Sequence, residues 1–390
     1  MEFRDIAKVI GVADYPEGME AYYIPGDQTP ACDLSMIDSM QREYNMFGDY
    51  YDLVREYAAV INRDEVRSAW VRTGAAFAKA GDFYQAKSIP VPTPDGTLLT
   101  SMLPFYILVA QIPGSMEEYR RRGFSDEEVL DLIKVYRGSL ATVEEHTGLP
   151  GTNALYYGWD SHFAKNQIFK AGGLQFEMRT VPGKAIYLRE KETGRVVPVL
   201  CSGTYHASGM QELGSAGYED PEGALCCSFR EDGENYYGHG VYDSVVFAHA
   251  QAFPKAQWEC VLRPDDPCLG MHIPKGADIS VEAMDRAIDA AHALVKERFP
   301  EFCGEKVYCS SWLLDPALGK LLGEDAKITQ FQNRYVRYPQ KSGGMHVFGH
   351  VFPKNFGSYE QLPENTRLER GLKQLYLGGG YIYSYAGVIF

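Results

Sequence analysis

The chain has 390 residues, enough for two domains because a single core stops growing at roughly 250, and its 45% hydrophobic and 23% charged content excludes a mainly disordered protein. With 38 basic against 52 acidic side chains, a net charge of −14 and no basic run beyond Arg120-Arg121-Arg122, nucleic acid and anionic membrane are not expected partners. Eight cysteines without a C-x-x-C pair exclude a zinc ribbon, and with no apolar leader in MEFRDIAKVIGVADYPEG the expectation is a cytoplasmic protein with reduced thiols.

From about residue 33 to 150 the pattern is helical, and the longest apolar run, Met102 to Ile112, is too short for a membrane span. Ser115 with Glu118 and Ser125 with Glu128 have the spacing of capping boxes that start helices, and Phe124 and Val129 are placed as a hydrophobic staple at the second. The stretch TGLPGTN (147–153) reads as a boundary, giving a helical domain over 1–150 and a second domain over 151–390. A further helical stretch runs to Lys170. Strands in a meander follow over 174–200, broken at Pro182-Gly183 and Thr193-Gly194. Residues 203–257, rich in Gly, Tyr and acid, read as a long loop insertion with short strands, carrying TYHASG and YYGHG.

Next comes a strand ending at His272 and a helix capped at Ser280, with Val281, Met284, Ile288, Ala291, Val295 and Phe299 on one face and Ile279 and Met284 as staple. KVYCSSWLL reads as a strand, PALGKLLG as a helix, KITQFQNRYVRY and HVFGHVF as strands, and NTRLERGLKQLYLGGG as a last helix before a Tyr-rich tail. A helix joining two strands of one sheet needs a crossover, so the order implies a parallel pair within a mostly antiparallel sheet flanked by helices. The fold class is α+β.

GGLQFE (172–177), LGMHIPKGADIS, SSWLLDPAL, ITQFQNRYV and LPENTRLERGLK together resemble bacterial acyltransferase-domain proteins with an N-acyltransferase helical N-terminal domain and a GNAT-like C-terminal domain. The resemblance implies a GNAT-like sheet whose splayed central strands admit an acyl-coenzyme A (acyl-CoA), and transfer of its acyl group to an amine of a small-molecule acceptor. GNAT enzymes usually follow the central strand with Arg or Gln and then x-x-Gly-x-Gly or Ala. This chain has His272-Ile-Pro-Lys-Gly276-Ala277, where Pro274 removes one donor. The groups expected to hold the donor's phosphates are Lys275, Gly276, Ala277 and the first turn after Ser280.

Acyl transfer needs a base for the amine proton. His272, at the end of the central strand, is the first candidate. Glu177 shares a strand face with Gln175, and a carboxylate flanked by Leu174, Phe176 and Met178 is either paired or functional. Cys309 with His272 would instead make a thioester or amide hydrolase with a covalent intermediate. Tyr308, Ser310 and Trp312 fall on the opposite strand face to Cys309, with Ser310 a catalytic and Trp312 an acceptor-contacting candidate. Asp315 before Pro316 reads as a helix cap. Gln330, Gln332 and Arg334 alternate along a presumed strand face, where Gln332 and Arg334 could contact the acceptor. His346 and His350 have no evident third ligand, and no metal is expected. A third reading, a catalytically silent GNAT-like binding protein, draws on the altered loop and on 27 tyrosines and 19 phenylalanines.

Overall fold

A computed structural model of the chain describes every residue except 93–94 and 353–355. The chain divides into two compact units, Met1–Phe169 and Lys170–Phe390.

The first unit is built from α1 (Phe3–Val9), α2 (Leu34–Tyr44), α3 (Tyr51–Arg63), α4 (Glu65–Ala80), α5 (Phe83–Lys87), α6 (Leu98–Val109), α7 (Ile112–Arg121), α8 (Asp126–Ile133), α9 (Val135–Thr147) and α10 (Ala154–Ala164). Helix α4 packs against α1, α3, α5 and α6 and buries Trp70, Val71 and Phe77. The stretch Leu98–Arg121 is long and apolar enough to cross a membrane, yet 67% of its most apolar window is buried, as in the core helix of a folded unit. Tyr106 Oη ties α6 to α3 by donating to Val54 O at 2.6 Å.

The start of α8 is the capping box expected at Ser125. Its Oγ accepts from Glu128 N at 3.2 Å, and Glu128 Oε2 accepts from Ser125 N at 2.7 Å. Ser125→Ala is expected to lower the stability of this unit by about 1 kcal/mol in urea unfolding, and an unchanged midpoint would mean that the box contributes nothing. Ser115 does not start a helix. Helix α7 begins three residues earlier, with Pro113 in its first turn, so Ser115 lies inside it and its hydroxyl donates to Phe163 O at 2.7 Å.

Strand β1 (Ile168–Ala171) spans the boundary, and the second unit continues with β2 (Leu174–Thr180), β3 (Ala185–Glu190), β4 (Val196–Leu200), β5 (Thr204–Tyr205), β6 (Leu225–Cys226), β7 (Arg230–Glu231), β8 (Asn235–Tyr242), β9 (Val245–Val246), β10 (Gln251–Pro254), β11 (Trp258–Leu262) and β12 (Pro267–His272). After these come α11 (Val281–Arg298), β13 (Val307–Ser311), α12 (Pro316–Leu322), α13 (Lys327–Gln332), β14 (Val336–Pro339), α14 (Phe348–Val351), α15 (Arg367–Leu377) and β15 (Tyr385–Ile389). One sheet has the order β1-β2-β12-β13-β15-β14. Within it β12 and β13 are parallel and joined by α11, while β2–β12, β13–β15 and β14–β15 are antiparallel, as the element order implied. Helix α11 buries Met284, Ile288, Ala291 and Val295 of the expected face. The turn from β1 to β2 lies against it: Gly172 has φ +57°, and a Cβ there would stand 2.5 Å from Ala287 Cα.

A second sheet, of order β10-β8-β4-β3-β11 with β7 and β9 on β8, accounts for what the sequence suggested was one meander followed by a loop insertion with short strands. Strands β2 and β3 do not pair, because Pro182-Gly183 carries the chain from the first sheet to the second. The YYGHG run is part of β8, inside that sheet, rather than a loop. Tyr187, Leu200 and Leu262 form one buried cluster with Cys268, Tyr308 and Val388, so the second sheet packs on the face of the first that carries those three.

Three further expectations are corrected. The segment before β2 is the strand β1, not a helix running to Lys170. KITQFQNRYVRY is the helix α13 followed by β14, because burying Thr329, Phe331 and Gln332 together requires helical spacing. HVFGHVF contains the short helix α14, and the closing strand is instead β15 from the Tyr-rich tail, which inserts between β13 and the edge strand β14.

Candidate active site

Strands β12 and β13 are in register at only two positions, Leu269 with Val307 and Gly270 with Tyr308. Beyond these, β12 continues along β2 to His272, while β13 continues along β15 to Ser311. The two parallel strands therefore part, and a wedge opens between His272 on one arm and Ser310 on the other.

Strand alternation and register place Gln175, Glu177 and Arg179 of β2, Gly270 and His272 of β12, and Tyr308 and Ser310 of β13 on one face. His272 Nε2 and Glu177 Oε2 are 3.0 Å apart, and Arg179 Nη1 donates to the same oxygen at 3.4 Å. The Glu177 side chain is 6% exposed against 32% for His272, so a nearly buried carboxylate holds an imidazole that reaches solvent. Such burial is tolerable because Arg179 pairs with the charge and His272 hydrogen-bonds to it. The Arg179 guanidinium also lies 5.1 Å from the Tyr308 ring centre, over its face. Gly270 makes room for the cluster, since a Cβ there would come within 2.7 Å of Arg179 Cδ and 3.2 Å of Glu177 Oε2.

With Glu177 ionised, the Nε2–H of a neutral His272 donates a hydrogen bond to Oε2, and that tautomer carries its lone pair on Nδ1. The sequence named His272 and Glu177 separately, and the structure brings them together. Arg179 was passed over, although it follows Glu177 by two residues on the same strand face.

Other candidates are placed differently. Ser310 is on the His272 face, where its Oγ donates to Gln340 Oε1 at 2.6 Å. Cys309 lies on the opposite face, 2% exposed, and burial pushes its thiol up to about 12. The Cys309–His272 pair of the hydrolase reading is therefore not assembled. Trp312 belongs to a 3-10 turn and stacks on His350 with ring centres 6.2 Å apart, packed against the cluster formed around α12 and α15. Gln332 is buried, and its Nε2 donates to the carbonyls of Leu313 and Asp315, each at 2.7 Å. Arg334 pairs with Asp285 of α11 at 2.6 Å and faces a groove of about 730 Å³ beside the start of β13, away from the wedge. Among the described residues no group of three His, Cys, Asp or Glu side chains is arranged for a metal ion.

The loop after His272 is a turn in which Gly276 has φ +82° and Ala277 N donates back to Pro274 O at 3.1 Å. The Ala277 N–H, expected to face a phosphate, is thus already engaged. Ser280 also departs from expectation: it precedes α11, but its N and Oγ both donate to Asp278, each at 3.0 Å, and no side chain caps the first turn. Asp278 pairs with Lys327 at 2.9 Å, a contact that with the Ser280 hydrogen bonds holds its carboxyl down at about 2. What remains near an anion is the uncapped first turn of α11 and the exposed Lys275.

A family model described as a GNAT-like C-terminal domain matches residues 168–389. Solved structures of similar fold include an acyltransferase in complex with decanoyl-CoA (TM-score 0.65, 15% identity) and an acyltransferase in complex with decanoyl-CoA and teicoplanin (TM-score 0.62, 16% identity). A third is an acyltransferase mutant in complex with octanoyl-CoA (TM-score 0.63, 16% identity). Each alignment covers 100% of this chain and 99% of the other. A search of curated proteins returns no match. The matched segment contains β2, β12 and β13, and hence the whole wedge with its His272–Glu177 pair: the chain belongs to the family defined by the GNAT-like C-terminal domain.

Proposed function

We propose that this protein transfers an acyl group from acyl-CoA to an amine of a small-molecule acceptor. The observation that carries the reading is the parting of β12 and β13 with an oriented imidazole on one arm. Support comes from proteins of the same fold that are acyltransferases in complex with acyl-CoA, one of them also with teicoplanin.

The donor's thioester would enter the wedge, where strand edges freed from pairing offer N–H and C=O groups to its amide-bearing arm. Its phosphates would meet the uncapped first turn of α11 and Lys275, and the pairing of Asp278 with Lys327 lessens the repulsion there. The acceptor nitrogen attacks the thioester carbonyl, and its proton passes to Nδ1 of His272. Glu177, with Arg179 behind it, holds the ring and stabilises the imidazolium. The C–S bond breaks, the coenzyme leaves as thiolate, and the proton held by His272 balances that charge, giving an amide and a free thiol.

The test is thermal unfolding with decanoyl-CoA, octanoyl-CoA and free CoA. A ligand at about 100 times its Kd stabilises the folded state by about 2.7 kcal/mol, so a clear rise in Tm is expected with the thioesters. No rise with any of them at saturating concentration removes the donor, and with it the proposed reaction.

A further inference from the structure

A cavity of about 350 Å³ lies in the second unit past the end of β13, lined among others by Gln211, Asp243, Asp315 and Tyr385. Tyr385 is the register partner of Ser311, the last residue of β13, so the cavity lies at the same end of the strands as the wedge. Its size falls at the low end of the roughly 300–1,000 Å³ typical of small-molecule sites.

The polar groups around it are mostly acceptors. Asp315 is 3% exposed, and its two carboxylate oxygens accept from Ala317 N at 2.8 Å and Tyr383 N at 2.6 Å. Burial raises it to about 6, partly offset by those N–H groups and by Arg337 and Lys320, so it is still charged at neutral pH. Among the described residues no cation closes an ion pair with it. Gln211 is 1% exposed; its Nε2 donates to Tyr385 Oη at 2.9 Å, and Tyr385 Oη in turn donates to Met210 O at 3.3 Å. That chain fixes the amide orientation and leaves Gln211 Oε1 buried without a partner. Asp243, in the two-residue turn between β8 and β9, adds an exposed carboxylate at the rim. Lys320 is the cation of the lining, and it is exposed.

The apolar part of the wall is aromatic. Tyr218 and Tyr383 meet edge to face with ring centres 5.6 Å apart, and Tyr381 lies 6.2 Å from Tyr383. Tyrosine faces attract cations, and a buried carboxylate beside an unpaired carbonyl oxygen calls for a ligand that brings positive charge and N–H donors.

We propose that this cavity binds a small protonated amine carrying a flat ring, its ammonium group directed to Asp315, Asp243 and Gln211 Oε1 and its ring lying against Tyr218, Tyr381 and Tyr383. A neutral ligand would leave Asp315 uncompensated, and an anion would be repelled by it. The assignment is independent of acyl transfer, because it concerns binding of a charged, unreactive amine and not attack on a thioester.

The experiment is isothermal titration of the full chain with tyramine and with 4-ethylphenol, which keeps the ring and lacks the amine. Saturable tyramine binding is expected, with 4-ethylphenol at least about ten-fold weaker. Tyr218→Ala should weaken tyramine by roughly three- to thirty-fold. Asp243→Asn, which suits the left-handed turn and preserves the fold, should weaken it by roughly two- to five-fold. The proposal is overturned if tyramine shows no saturable binding up to about 10 mM, if 4-ethylphenol binds equally well, or if neither substitution changes the affinity. Should Tyr218→Ala fail to fold, Asp243→Asn alone decides the location.

Discussion

Replacing His272 with alanine is expected to lower kcat for amide formation by about 10²- to 10⁴-fold, the range associated with loss of a positioned base. The measurement is thiol release at saturating acyl-CoA and acceptor. The affinity for acyl-CoA, read from the Tm rise, should stay unchanged, because the imidazole contributes to the transition state and not to holding the donor. Glu177→Gln keeps the shape of the pair and removes the charge that stabilises the imidazolium, so kcat should fall at least about ten-fold with KM little changed. A merely structural Glu177 would instead show a lowered Tm and an unaltered kcat in the folded fraction. Cys309→Ser is the control, with activity within about two-fold of the parent, since its thiol faces away from His272 and is buried. If Cys309→Ser lost as much activity as His272→Ala, direct transfer would be wrong.

Gly172→Ala is expected to destabilise the second unit by about 2–4 kcal/mol in urea unfolding. Two effects add. The residue sits at φ +57°, which costs a non-glycine residue roughly 1–2 kcal/mol, and the new Cβ would press on Ala287 Cα at 2.5 Å. That neighbour is helix backbone and has no rotamer by which to yield, so either β1–β2 or α11 must move. An unchanged urea midpoint would show that the hairpin turn and α11 are not held this closely.

Reading the sequence located what local chemistry determines. Ser125 with Glu128 identified a helix start because a capping box is complete within four residues. The position of His272 at a strand end was legible because an apolar run stops there just before a loop and an amphipathic helix. The pairing of His272 with Glu177 was not legible, since it depends on the register of β2 against β12 across 95 residues. Helix α13 was misread because Ile328, Thr329 and Phe331 favour strands in isolation, whereas its packing and the capture of two carbonyls by Gln332 require a helix. Strand β15 was hidden in a tail of Tyr, Gly and apolar residues whose alternation vanishes when both faces are buried. The second sheet escaped notice for a related reason. Several of its strands have two to five residues, too few to show a period among so many glycines.

The same second sheet bears on how the wedge assembles during folding. Bringing Glu177 to His272 directly would close a loop of 95 residues, a slow step if the intervening chain were unstructured. That chain instead contains β3–β4 and β8–β9, hairpins that form from near neighbours, and its ends are tied where Val181 N meets Asp266 O at 2.9 Å. Once those hairpins have formed, the effective loop is short and β2 is delivered to β12 almost in register. Cutting the chain inside β8 should therefore slow refolding of the His272–Glu177 pair far more than its distance from that pair would suggest.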